Sequence, residues 1–184
     1  NLDNQKKILS NNINSFAKSD ISEHTLLWGA KGCGKSTLVK LAVEKVSLKR
    51  KKIKLIEVFS LNLDFLADIC FILSNYDYKF ILFIDDMNFN KLDENFKYFK
   101  SLIEGSILSS TQNIKFFVTS NLRNLSVNSV NQKNLNDLEI REIRENNLSL
   151  VDRFGCKISF YDFDQEKYLN VVNFYLNKFS IRAN

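Results

Sequence analysis

The sequence has no proline, a single histidine and only three cysteines in 184 residues. The cysteines, Cys33, Cys70 and Cys156, are odd in number and far apart. We therefore expect neither a disulfide framework nor a thiolate zinc site, and predict a reducing, cytoplasmic environment. Because His24 is the only histidine, most Ser–His, Cys–His and histidine–metal mechanisms are excluded. No apolar run approaches the ~18 residues of a membrane-spanning helix, so we expect no membrane role.

The composition is that of a globular chain with a mildly basic balance. At about 150 residues per domain, the length predicts one domain. Lys and Arg number 26 against 21 Asp and Glu, a net charge of +5 that allows phosphate ligands or nucleic acid without requiring them. The wealth of Asn, Lys, Ile and Phe indicates an AT-rich coding bias, which weakens the charge as evidence for DNA binding. The sequence starts at Asn1 without Met, so we expect a fragment, and it shows no signal peptide.

Short apolar runs alternate with helix-like patterns along the chain. The predicted strands are 24–28, 53–59, 79–86, 114–119 and 156–161. The predicted helices are 4–16, 35–48, 61–75, 92–108 and 164–179. The polar, Asn-rich segment 121–150 is predicted to be a long excursion with room for one short helix. Strands that alternate with helices indicate a parallel α/β sheet.

Residues 29–36 read Gly-Ala-Lys-Gly-Cys-Gly-Lys-Ser and fit the phosphate-loop pattern G-x-x-x-x-G-K-[ST]. The glycines let successive backbone N–H groups face an anion, and the following helix N-terminus adds positive dipole. Lys35 is expected to reach the β- and γ-phosphates, and Ser36 to ligate Mg²⁺. The predicted ATP contacts are Gly29, Ala30, Lys31, Gly32, Cys33, Gly34, Lys35, Ser36 and Thr37. A glycine-rich β–α turn without a ligand is the alternative; Cys33 is interpreted as a spectator, with a redox switch as the other possibility.

Two carboxylates end the buried apolar run 81–84. Together with a phosphate loop, such a strand end supplies the second anchor that Mg²⁺ needs. We assign Asp85 to Mg²⁺, through water, and Asp86 as the general base for the attacking water. Asp86 is shorter than the Glu that many ATP-driven motors carry at this place. A pair of merely solvated carboxylates is the alternative.

Two further polar regions follow: the residues after the strand 114–119 and the residues before the last strand. If the strand 114–119 lies between the strands that carry the two motifs, Asn121 sits near the γ-phosphate and can hold the attacking water; otherwise it caps the following turn. Arg123 is interpreted as solvated, with phosphate contact as the alternative. Arg153 precedes the last strand and could enter a neighbouring subunit as an arginine finger. Its alternative is a local ion pair with Asp152 or Glu145.

These four features, in this order, resemble the AAA+ ATPases. Further segments resemble a bacterial family of predicted AAA+ ATPases labelled domain of unknown function 815. Those segments are 5–7, 26–32, 55–58, 80–83, 148–155 and 159–169. The resemblance implies a three-layer P-loop fold with a five-stranded parallel sheet in the order 5-1-4-3-2, and it implies binding and hydrolysis of ATP with Mg²⁺. Cys33 departs from the small Thr that is usual in such loops.

The resemblance also implies how the chain is divided. Residues 1–23 would be a helical linker packed on the core, 24–162 the ATPase core, and 163–184 the first part of a truncated helical lid. Arg182 is a poor candidate for the arginine that a complete lid would supply.

Three functions are compatible with these residues. The leading hypothesis is a homo-oligomeric ATPase that remodels or loads a macromolecular partner, resting on Lys35, Asp85, Asn121 and Arg153. The second is a nucleotide-gated module that binds a protein or DNA and hydrolyses slowly, suggested by Asp86 and the basic run 49–52. That run is otherwise a solvated helix end. A small-molecule kinase is disfavoured, because no Arg-rich lid is visible.

Overall fold

The structure, a computed structural model, describes residues 2–19, 22–59, 65–87, 94–104, 111–121, 145, 148–161 and 165–179. The strands are β1 (Thr25–Gly29), β2 (Ile53–Val58), β3 (Lys79–Ile84), β4 (Ile114–Ser120) and β5 (Cys156–Phe160). The helices are α1 (Asp3–Lys18), α2 (Lys35–Ser47), α3 (Leu66–Ser74), α4 (Glu94–Glu104) and α5 (Gln165–Lys178). Residues 148–152 are also helical.

The five strands form one parallel sheet in the order β2-β3-β4-β1-β5. Taken from the other edge, this is the predicted order 5-1-4-3-2, which is confirmed. Strand β4 lies between β1 and β3, with Leu27 opposite Thr119 and Ile84 opposite Val118. The carboxyl ends of β1, β3 and β4 therefore meet at one edge of the sheet.

The predicted elements differ from the observed ones mainly at their ends. Strand β3 stops at Ile84, two residues before the predicted end, because Asp85 and Asp86 turn out of the sheet. Helix α3 begins at Leu66, and residues 61–64 of the predicted helix lie outside the described residues. Most of the predicted excursion 121–150 also lies outside them.

Helices cover both faces of the sheet, which gives three layers. Helices α1 and α2 pack with Ile81 and Phe83 of β3 on one face. Helices α3 and α4, with residues 150–154, pack with the alternate β3 residues on the other. This alternation has the period of two that a strand requires, and it explains why β3 is apolar throughout.

The two terminal helices differ in burial. Helix α1 buries Leu9, Ile13 and Phe16 in the same cluster as α2, whereas α5 leaves large side chains such as Phe174 and Tyr175 exposed. The predicted boundaries after residues 23 and 162 stay a prediction, as does the interpretation of α5 as a lid helix. Within the described residues, no helix is long and apolar enough to span a membrane.

His24 has a structural role at the amino end of β1. Its Nδ1 accepts a hydrogen bond of 2.9 Å from the Phe116 backbone N–H. Burial, and secondarily the charge of Lys115, lowers the pKa of His24 from 6.5 to about 4. Protonating Nδ1 would remove the acceptor, so the folded state holds a neutral imidazole.

This arrangement predicts a pH-dependent loss of stability. The unfolded chain binds the proton first, so stability is full above pH 6.5 and declines as the pH falls toward about 4, by up to about 3 kcal/mol. His24→Asn keeps an acceptor near the Nδ1 position and cannot titrate. Urea unfolding of both proteins from pH 7 to pH 4 should show the wild type losing more stability. A constant difference between them across this range would contradict the assignment.

Candidate nucleotide-binding site

The phosphate loop connects β1 to α2 and is fixed at its start by β5. Gly29 has φ +131°, and a Cβ at this position would lie 1.8 Å from the carbonyl oxygen of Phe160. That same oxygen accepts a hydrogen bond of 3.2 Å from the Ala30 N–H. The close approach of β5 and the backbone conformation both require glycine at the first position of the motif.

Lys35 begins α2 and is 6% exposed. Its Nζ donates to the carbonyl oxygens of Gly29 at 3.0 Å and Ala30 at 2.7 Å. A third bond of 3.0 Å goes to Asn121 Oδ1. Burial lowers the pKa of this ammonium below its ordinary value, although Cys33 and the carboxylates of Asp86 and Asp85 act in the opposite direction. The loop thus presents a buried cation to an incoming phosphate.

Asp85, which follows β3, accepts hydrogen bonds from two hydroxyls. Ser36 Oγ donates to Asp85 Oδ1 at 2.6 Å, and Thr119 Oγ1 donates to the same oxygen. A hydroxyl and a carboxylate oxygen are the hard ligands that Mg²⁺ prefers. The donor set of Ser36 and Asp85 therefore fits a magnesium ion bound beside the phosphate loop.

The tip of β4 positions the second carboxylate. Asp86 has φ 55°, a left-handed conformation that Asp tolerates better than most residues, and its N–H donates to Thr119 Oγ1 at 2.8 Å. Asn121 Nδ2 donates to Asp86 Oδ1. The amide of Asn121 consequently links Lys35 to Asp86, and both of these hydrogen bonds lie within the candidate site. Arg123 lies outside the described residues.

A cleft of about 320 Å³ opens between these groups. It is lined by Lys31, Gly32, Gly34, Lys35, Ser36, Thr37, Asp85, Asp86, Thr119 and Asn121. Gly29, Ala30 and Cys33 are not among the residues that line the cleft. Cys33 is buried, and its Sγ lies 3.2 Å from the carbonyl oxygen of Tyr161. This burial fits the interpretation of Cys33 as a spectator.

Thr119 was not predicted from the sequence. Thr119 is 1% exposed. Its hydroxyl donates to the Asp85 carboxylate and accepts from the Asp86 backbone N–H, so it fixes the first carboxylate and the backbone of the second residue. The sequence does contain one indication, which is the spacing of Thr119 and Asn121. Residues two apart at the end of a strand lie on the same face of the sheet. A threonine in a strand is too common to be noticed without the fold.

Arg153 lies away from the cleft of its own chain and is not among the residues that line it. It follows the helical residues 148–152, and its side chain is 55% exposed. Its Nε lies 4.0 Å from Glu104 Oε1 on α4. The neighbouring Asp152, one predicted partner, instead pairs with Lys157 at 3.0 Å.

The strand order and the phosphate loop together define a P-loop NTPase fold of the AAA+ class. The chain matches, over residues 1–184, the family described as "Protein of unknown function (DUF815)", and it belongs to that family. No curated protein matches the sequence significantly.

Solved structures with this fold include proteins bound to DNA or nucleotide. The Orc1 protein of Aeropyrum pernix in complex with DNA has a TM-score of 0.67 at 12% identity, covering 96% of this chain and 49% of that one. AMPPCP-bound DnaA of Aquifex aeolicus has 0.57 at 12%, covering 97% and 52%. A RuvB mutant of Thermotoga maritima has 0.60 at 19%, covering 99% and 53%. The chain spans about half the length of these proteins, and the likeness shows the fold.

Replacing Thr119 with Val should destabilise the carboxyl end of β3. The substitution keeps the shape but removes the hydroxyl, which leaves the Asp86 N–H without its partner, at a cost of about 1–3 kcal/mol. Thr119→Ser retains the hydroxyl and serves as the matched control. Chemical denaturation of the three proteins should give a lower free energy of unfolding for the valine variant. Because valine keeps the methyl group and serine keeps the hydroxyl, a valine variant as stable as the serine variant would contradict the role assigned to the hydroxyl.

Proposed function

We propose that this domain binds ATP with Mg²⁺ and hydrolyses it, and that it works as a homo-oligomer that remodels or loads a macromolecular partner. The observation that carries the proposal is the convergence of Lys35, Ser36, Asp85, Asp86 and Asn121 on one cleft. These residues come from three different strand ends. A buried cation, a magnesium donor set and a second carboxylate, Asp86, are the groups that phosphoryl transfer to water needs.

Each residue has a distinct task in this proposal. The backbone N–H groups of the loop and Lys35 bind the β- and γ-phosphates, and Ser36 and Asp85 hold the metal. The metal, when bound, neutralises charge on the phosphate oxygens. Asp86 accepts a proton from the water whose oxygen attacks the γ-phosphorus, while the bond to the β–γ bridging oxygen breaks and ADP leaves.

Asn121 changes partners in this scheme. In the structure its Oδ1 receives one of the three Lys35 hydrogen bonds. A phosphate oxygen that takes over this ammonium donor leaves the amide oxygen available to the attacking water. The amide also stays beside Asp86, so the water would be held between the two side chains.

Arg153 supports the oligomeric part of the proposal. A guanidinium that is half exposed, at a distance from its own cleft, can reach a phosphate bound by a neighbouring subunit. To do so it would leave Glu104, and an exposed ion pair of this kind holds it only weakly. A phosphate that carries several negative charges is the stronger partner for arginine.

A second candidate is a nucleotide-gated module with slow turnover. It is favoured by the hydrogen bond between Asn121 Nδ2 and Asp86, which occupies the proposed base. The DNA-bound and AMPPCP-bound structures with the same fold are compatible with either function.

Turnover should depend on protein concentration and on Arg153. If the finger acts between subunits, specific Mg-ATPase activity rises with concentration, and Arg153→Ala lowers it by about 10³-fold while ATP binding is kept. Lys157→Ala, which removes a nearby cation paired with Asp152, is the control and should leave turnover unchanged. Phosphate release measured across a dilution series tests this.

A specific activity that changes neither with dilution nor in the Arg153→Ala variant would contradict a site shared between subunits. ATP binding without turnover at any concentration would instead favour the nucleotide-gated module.

A further inference from the structure

A second cleft lies at the opposite edge of the sheet. Its volume is about 430 Å³, and its walls come from residues at the amino ends of β2, β3 and β4. The nucleotide-binding cleft lies at the carboxyl ends, and the six residues of β3 separate the two by about 20 Å. The residues that matter here are Arg50, Lys52, Tyr76, Tyr78, Lys79 and Asn113.

The cleft carries excess positive charge. Between α2 and β2 the chain reads Lys-Arg-Lys-Lys over 49–52, and all four residues are exposed. Of these, Arg50 and Lys52 line the cleft together with Lys79. Asp77 also lines it and pairs with Lys52, so the lining holds three cations against one carboxylate. Because both side chains of this pair are exposed, it holds Lys52 only weakly. The fold thus places two residues of the basic run in the lining of a concave site.

Two tyrosines on the segment that leads into β3 also line the cleft. Tyr76 is 55% exposed and Tyr78 42% exposed, which is high for aromatic side chains. Asn113 fixes this segment, because its amide donates to the carbonyl oxygens of Tyr76 at 3.2 Å and Tyr78 at 3.1 Å. Lys54 Nζ lies 5.4 Å from the centre of the Tyr78 ring. The backbone that carries both tyrosines is therefore fixed, and the Tyr78 ring lies next to a cation.

We propose that this cleft binds single-stranded nucleic acid. Arg50, Lys52 and Lys79 would contact backbone phosphates, and the exposed ring of Tyr76 would stack on a base. Cations that follow a backbone, combined with aromatic faces, are the recognition chemistry of single strands, whose bases are available for stacking. Duplex DNA, an acidic protein or an anionic membrane would use the cations and leave the tyrosine ring without a function. The proposal does not depend on the nucleotide-binding site.

The test is fluorescence anisotropy with labelled oligothymidylate of about 12 nucleotides, compared with a duplex of the same length, at ~50 and ~200 mM salt. The wild type should bind the single strand more tightly than the duplex. With about three phosphate contacts, the slope of log K against log salt should be about −2. Arg50→Ala combined with Lys52→Ala should weaken binding at least tenfold and flatten the slope.

Tyr76 supplies the discriminating comparison. Tyr76→Ala should weaken binding at least about fivefold, whereas Tyr76→Phe, which keeps the stacking face, should match the wild type. Lys7→Ala combined with Lys97→Ala removes two exposed cations from α1 and α4, and so controls for the net charge lost in the Arg50/Lys52 double variant. Lys35→Ala should leave oligonucleotide binding intact, which separates this proposal from the nucleotide-binding site.

Three results would overturn the proposal. The first is no binding at ~50 mM salt. The second is equal loss in the Lys7/Lys97 double variant and the Arg50/Lys52 double variant. The third is binding that is weakened in the Arg50/Lys52 double variant but unchanged in Tyr76→Ala, or binding that is tighter to the duplex than to the single strand. Either form of this result would assign the cleft to a different anionic partner.

Discussion

The site depends on the burial of the Lys35 ammonium where three strands end. A buried cation is costly unless its donors are satisfied and opposite charge is close. Here the loop carbonyls satisfy two donors, Asn121 at the end of β4 satisfies the third, and the carboxylates that follow β3 supply negative charge. Asn121 and the two carboxylates come close to Lys35 because β4 lies between β1 and β3. The strand order is thus a requirement of the site's electrostatics.

The same parallel sheet separates two kinds of surface. Loops at its carboxyl edge bring together hydroxyl, carboxylate and amide groups, as is general for open α/β sheets. Its amino edge carries the basic run and the tyrosines of the second cleft. Strand β5 bears on the first of these edges, because the Phe160 carbonyl approaches Gly29 and the Tyr161 carbonyl lies beside Cys33. A movement of β5, which precedes α5 in the chain, would therefore displace atoms that contact the phosphate loop.

Much of this arrangement could be predicted from the sequence, for identifiable reasons. The phosphate loop is a local pattern, and β3 is an apolar run long enough to indicate burial on both faces. The strand order came from resemblance to a family, since no local property encodes which strands are neighbours. Thr119 and the Glu104–Arg153 contact could not be predicted, because each is a pairing across a long stretch of chain that only the tertiary structure brings together.

The central claim is that the carboxyl-edge cleft binds and hydrolyses Mg-ATP, and titration of ATP into four proteins tests it most directly. Wild type should bind and turn over ATP, Lys35→Ala should lose binding, and Asp86→Asn should bind normally while turnover falls by about 10²-fold or more. Lys40→Ala, which removes an exposed cation of α2 paired with Glu57, should behave as wild type. Retained micromolar ATP affinity in Lys35→Ala would contradict the account.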